Sequence, residues 1–148
     1  MLYWLCVVRL CVFRVAQFKT KNAMLQELKI KIYGRQPVPN ISGKNLEKII
    51  QRDYNNYIDE VEEKLKLIKS DSLKGQNRIS AAVLKLADGD VDKIDKYIEM
   101  YKNDFRDVLA NAEYSLCSRF GFGEKNKKKL RTIYLTDWKN YTKWLNKN

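Results

Sequence analysis

ISAAVLKLADGDVDKIDKYIEMYKNDFRDVLANAEY (residues 79–114) decides the fold. Apolar residues recur in it at helical spacing three times over, with almost no spacer between the runs. Ile79, Ala82, Val83 and Leu86 share one face, and Asp88-Gly89 ends that run with a glycine suited to a left-handed closing turn. Asp90 is placed to cap the next run, whose face is Val91, Ile94, Ile98 and Tyr101. Asp104 is placed to cap a third, with Phe105, Val108, Leu109 and Ala112. Joints this short force consecutive helices to pack on one another.

The same rhythm extends outward. From Leu46 to Ile68 the apolar residues Leu46, Ile49, Ile50, Tyr54, Tyr57, Ile58, Val61, Leu65 and Ile68 describe one long amphipathic helix, which Asn55-Asn56 could split. Glu60–Lys64 and Glu62–Lys66 are spaced to pair along it. Ser70-Asp71-Ser72 reads as a stop and a restart, and Ser115–Gly123 as a loop. Residues 127–145 form a last helix with Leu130, Ile133, Tyr134, Trp138, Tyr141 and Leu145 on one stripe and a candidate kink at Thr136-Asp137. Residues 24–33 are ambiguous. Leu25, Leu28 and Ile32 are helically spaced, whereas Leu28-Lys29-Ile30-Lys31-Ile32 alternates as a strand would. Gly34, Pro37 and Pro39 then make a loop. The expectation is an all-α, single-domain bundle of five or six helices over residues 24–148.

Residues 1–23 have a different composition. Leu2–Phe18 is dense in Val, Leu, Cys and aromatics but carries Arg9 and Arg14, each of which would cost about 2.5–3.5 kcal/mol at the centre of a membrane span. Nor does the stretch have the basic leader and small-residue exit of a secretory signal. A buried element, a weak membrane-surface anchor and an upstream start with Met24 as the natural beginning remain as readings. The change of composition at Lys19–Met24 favours the last. No integral membrane span is expected.

The 148-residue chain carries a net charge of +11, unevenly distributed: +6 over residues 1–43, −2 over 44–118 and +7 over 119–148. A basic end on a near-neutral body is a handle for nucleic acid or acidic partners, or simply a solvated face. The chain has no His, no phosphate-loop glycine pattern and no thiol pair at metal spacing. Cys6, Cys11 and Cys117 cannot all pair, which fits a reduced, cytoplasmic protein. Without a neighbouring base, Cys117 reads as a small buried hydrophobe.

Four constellations are candidates for chemistry. Asp88, Asp90, Asp92 and Glu99 fall at positions 1, 3, 5 and 12 of a calcium loop, but Lys93 stands where that loop needs glycine. Helix punctuation accounts for the aspartates, so no metal is expected. Asp104, Arg106, Asp107 and Glu113 surround the third helix; Asp107 and Glu113 lie on different faces, and an Arg106 buried against Asp107 or a tyrosine would organise packing. Glu62-Glu63-Lys64 has the residue types of a nuclease motif, placed mid-helix where that motif does not work. The last helix is the strongest candidate. Lys125, Lys127, Lys128, Lys129 and Arg131 could neutralise phosphates, with Trp144 as the ring left free to stack on a base.

Ala82-Val83-Leu84-Lys85-Leu86-Ala87-Asp88-Gly89-Asp90, with Asp104-Phe105-Arg106-Asp107-Val108-Leu109 and Ala112-Glu113-Tyr114, resembles a pattern in small bacterial helical proteins of uncharacterised function. The resemblance covers residues 79–114. It implies a bacterial, cytoplasmic, helical protein and carries over no catalytic residue or cofactor. The expected role is therefore a non-enzymatic binding or accessory protein with a protein partner, acting through a surface beside an effector or its immunity partner. A nucleic-acid-binding module is the alternative. Asp88, Gly89, Asp90, Asp104, Arg106 and Asp107 serve as structural caps and ion pairs in this reading.

Overall fold

A computed structural model describes residues 24–147, so the readings for residues 1–23 lie outside the described residues. The described chain is an all-α bundle. Its first helix, α1, includes residues 24–33. There follow α2 (Gly43–Asp53), a 3-10 turn (Asn55–Tyr57), α3 (Ile58–Leu65), α4 (Leu73–Ala87), α5 (Asp92–Asn103), α6 (Phe105–Glu113), α7 (Ser115–Phe120) and α8 (Lys127–Leu145).

α4 is the axis. Ile79, Ala81, Ala82, Val83, Leu84 and Ala87 are all buried, on more than the single face read from the sequence. The reason is that α2, α5 and α6 all pack against this helix, and its alanines let their backbones approach closely. Ser72 caps its start by accepting from Gly75 N–H at 3.1 Å. At its end both Asp88 (φ 53°) and Gly89 (φ 81°) are left-handed, so the closing turn falls one residue earlier than glycine alone would place it. Asp90 accepts from Asp92 N–H at 3.1 Å and pairs with Lys93, holding the first turn of α5. Asp104 accepts from Arg106 N–H at 2.8 Å and caps α6.

Tyr54 interrupts the long helix read over Leu46–Ile68. Its ring is buried; its hydroxyl donates to Leu84 C=O at 2.9 Å and accepts from Gly89 N–H at 3.1 Å. These bonds to the end of α4 outweigh one more turn of α2, and Tyr54 leaves helical geometry (φ −135°). Lys64 reaches Glu60, as the spacing suggested, and also Asp95 of α5. Lys66 pairs with Glu63 rather than Glu62.

Burial pushes the Tyr54 hydroxyl up to about 12, with the nearby Asp53, Asp88 and Asp90 charges adding to the shift and the Gly89 N–H opposing it. The folded state therefore keeps a proton that the unfolded chain releases above about pH 10, and this part of the stability is lost as pH rises from 10 towards 12. Burial raises Tyr114, Tyr134 and Tyr141 as well. Tyr54→Phe is expected to cost about 1–3 kcal/mol at neutral pH, since Gly89 N–H loses its acceptor and Leu84 C=O keeps only the bond from Asp88 N–H. It is also expected to flatten the alkaline decline, read from urea unfolding at neutral and alkaline pH. An equally steep decline in the variant would contradict the assignment.

Two further elements depart from expectation. Ser115–Phe120 is helical, not a loop, because its opening N–H groups are capped by a side chain of α8. α1 is helical, yet its Leu25, Leu28 and Ile32 stripe is about half exposed and Ile30 is the residue buried. Phe105 is likewise 48% exposed, outside the face assigned to it.

Candidate functional site

Charged residues of the bundle fall into an interior set and a surface set, and only the surface set is open to a partner. The interior set begins with Glu113, whose side chain is fully buried and takes a two-pronged bond from Arg78, Nε at 2.7 Å and Nη2 at 2.6 Å. Gln36 Nε2 donates to the Glu113 carbonyl at 3.1 Å, which fastens the loop after α1 to α6. Lys85 donates to Ala112 C=O at 2.8 Å and lies over the Tyr141 ring. Burial pushes its ammonium below the usual lysine range, while Asp137, Asp88 and Glu113 pull it back. Asp137 is 1% exposed and accepts from Leu116 N–H at 2.9 Å, Cys117 N–H at 3.0 Å and the Ser115 hydroxyl at 3.3 Å. α8 runs unbroken through Thr136-Asp137, whose acid is a cap for α7 rather than a kink.

These groups are spent on one another and on backbone. Two buried atoms, Gln36 Oε1 and Tyr141 Oη, have no partner among the described residues. Cys117 is buried and its thiol is pushed up by burial, which agrees with a packing role.

The aspartates of the middle section do not converge. Asp90 is engaged by Lys93, Glu99 by Lys102 and Asp104 by Arg106. Among the described residues no group of three or more His, Cys, Asp or Glu side chains could hold a metal ion. Arg106 is 78% exposed in its side chain and pairs with Asp104, not with Asp107 or a tyrosine. Asp107 sits in the first turn of α6, where a carboxylate favours the helix dipole.

The surface set lies between α1 and α8. Lys31, Lys127, Lys128 and Arg131 line an open groove of about 490 Å³ whose remaining walls are Thr132 and Leu135. No acid lines it, and none of its four cations is in an ion pair among the described residues. Gly34 (φ +64°) supports the arrangement: a side chain there would meet Arg131 Nε at 3.4 Å, so glycine lets Arg131 lie across the end of α1. Asn126 opens α8 by accepting from Lys128 and Lys129 N–H, both at 3.1 Å. Lys29, Tyr33 and Arg35 border a smaller hollow with Gln36 and Pro37 at the end of α1. Along α8 a third groove, of about 700 Å³, is lined by Val38, Pro39, Trp138 and Leu145 with polar neighbours that include the Glu27–Lys139 pair.

Of the residues singled out from the sequence, Lys127, Lys128 and Arg131 thus come together, joined by Lys31. Lys129 does not belong with them, because it is paired with Glu124 at 2.8 Å. Lys125 is exposed and does not line the groove. Trp144 is no free ring. It packs on Tyr141 (centroids 5.7 Å apart), and the Arg52 guanidinium lies 5.5 Å above it while donating to the Trp144 and Lys147 carbonyls. Trp138, read as core, lines a groove instead, because Asp137 and Tyr141 are the α8 residues that turn inward. Lys31 was invisible as a site residue, since nothing in a sequence of alternating lysines says which helix it will face.

Among the described residues no helix is long and apolar enough to cross a membrane. Comparison with family models, with curated proteins and with solved structures returns no match.

Proposed function

We propose that the chain is a non-enzymatic binding protein that works through the face shared by α1 and α8. It would serve as an accessory of the kind that accompanies an effector in the bacterial cytoplasm. One observation carries this reading: four cations free of ion pairs among the described residues line a single acid-free groove. The buried charges Arg78, Glu113, Lys85 and Asp137 are instead tied to each other or to backbone. Unpaired surface cations cost repulsion and return little to stability, so a groove of them is better explained by an anionic partner. The partner's negative charge would meet Lys31, Lys127, Lys128 and Arg131.

Nucleic acid is supported as a second reading by the same groove and by Tyr33, a ring 67% exposed between Lys29 and Arg35 that could stack on a base. That reading no longer draws on Trp144 or Lys129.

Retention on heparin tests the proposal. The triple variant Lys127→Ala, Lys128→Ala and Arg131→Ala is expected to elute at clearly lower salt than the parent. Lys44→Ala, Lys48→Ala and Lys96→Ala remove the same charge from elsewhere on the surface and are expected to leave elution nearly unchanged. Equal shifts in both variants would mean that net charge alone is read, and would remove the proposed face.

A further inference from the structure

α1 presents its apolar side to solvent. At about 100° per residue, Met24, Leu28, Ile32 and Leu25 form one outward arc opposite the buried Ile30, with Lys31 at one edge of the arc and Lys29 at the other. The four apolar side chains are 76%, 51%, 57% and 48% exposed. A helix that packed only against its own bundle would carry these residues inward and its lysines outward. Here the arrangement is an apolar ridge flanked by cations. Beyond Lys31 lie Lys127, Lys128 and Arg131, and beyond Lys29 lies Arg35.

The ridge is held in this orientation by more than Ile30. Glu27 pairs with Lys139 of α8 at 3.4 Å, Gln36 is bonded to α6, and Arg131 crosses Gly34. Turning the ridge inward would break all three. α1 is therefore built to show leucine and isoleucine to something that is apolar at its centre and anionic around it.

We infer that this something is an anionic lipid surface, with α1 lying in the plane of the interface. This deepens the surface reading above and rests on it. Leu25, Leu28 and Ile32 would enter the boundary between headgroups and acyl chains. Lys29, Lys31, Arg35, Lys127, Lys128 and Arg131 would meet the phosphates. The sequence ahead of α1 has compatible chemistry, with four Lys/Arg and no acid in residues 1–23. Lipid is favoured over nucleic acid because a nucleic acid satisfies the cations and leaves the apolar ridge in water, whereas a bilayer interface takes both.

The test is co-sedimentation of the full chain with vesicles of phosphatidylcholine alone and of phosphatidylcholine with about one-third phosphatidylglycerol. The parent is expected to pellet with the anionic vesicles and not with the neutral ones. Leu28→Gln with Ile32→Gln, which adds no charge, is expected to lower that binding about tenfold or more while leaving heparin retention intact, because the ridge is lost and the groove is not. Lys31→Ala with Arg131→Ala is expected to lower both. Circular dichroism of each variant at the parent's helix content confirms that the loss is of surface and not of fold.

A ridge variant that pellets as well as the parent would overturn the inference. So would a concentration-dependent dimer that the ridge variant abolishes, which would make the occupant a second copy. If anionic vesicles fail while a single-stranded oligonucleotide binds through the groove cations, the lipid inference falls and the surface reading stands with nucleic acid as its partner. Failure with vesicles, oligonucleotide and heparin alike would end both.

Discussion

Replacing Arg78 by Ala is expected to cost about 3–5 kcal/mol of folding stability. The asymmetry of the pair is the reason. Glu113 is fully buried in its side chain, whereas Arg78 keeps 20% of its side chain exposed. Removing Arg78 strands a carboxylate that has no route to water. Removing Glu113 instead leaves a guanidinium that can turn its free edge outward, so Glu113→Ala is expected to cost less. If the pair were favourable mainly as an attraction, deleting both partners would be worse than deleting one. Desolvation argues the opposite: Arg78→Met with Glu113→Met, which removes both charges and keeps the volume, is expected to recover most of the loss. Urea unfolding of the parent and these three variants measures the losses and the recovery. In a chain of this size the single Arg78 variant is expected to melt roughly 10 °C lower. A loss under about 1 kcal/mol would show that water reaches Glu113 freely.

Asp137→Ala is the second large effect, expected at about 2–4 kcal/mol. One carboxylate supplies the cap that α7 lacks in its own sequence: the residue before α7, Tyr114, makes no side-chain capping bond. Without Asp137 the Leu116 N–H, which is part-buried, and the Cys117 N–H, which is buried, would be left unpaired. Asp137→Asn keeps one acceptor and is expected to lose roughly half as much. A second readout separates the cap from general destabilisation. Cys117 is fully buried in α7, and it should become reactive towards a thiol reagent, mapped by peptide, under conditions where the rest of the bundle stays folded. Unchanged labelling at Cys117 together with a normal melting temperature would remove Asp137 as the clasp between α7 and α8.

The elements that were legible in the sequence are those whose determinants are local. α4, α5 and α6 show their rhythm and their punctuation within a few residues of each boundary, so Asp88-Gly89, Asp90 and Asp104 could be read where they stand. The failures share a different cause. α2 ends early because the Tyr54 hydroxyl is bonded to Leu84 and Gly89, some 30 and 35 residues away. α7 exists because Asp137 caps it from α8, 20 and 21 residues on. Neither partner is visible from inside the window that suggests helix or loop.

α1 shows a subtler limit. The spacing of Leu25, Leu28 and Ile32 does mark a stripe on a helix, but periodicity says only that a stripe exists, not which way it faces. Ile30 is the buried hydrophobic residue of the helix, and the stripe is about half exposed. The candidate site was half legible for the same reason. Lys127, Lys128 and Arg131 are one turn of α8 and could be grouped from sequence. Lys31 joins them, and Glu124 neutralises Lys129, only through tertiary placement. Trp144 is not a free ring because its cover, Arg52, comes from α2, outside any local window of sequence.

Amide hydrogen exchange of the full chain, with and without heparin oligosaccharide, puts the division between interior and surface charge to the most direct test. Protection is expected to rise in α1 and in the first turns of α8, with α4, α5 and α6 unchanged. Protection centred instead on residues 88–107, with none at Lys31 or at 127–131, would place the working part of the molecule among the aspartates and contradict the assignment of function to the α1–α8 face.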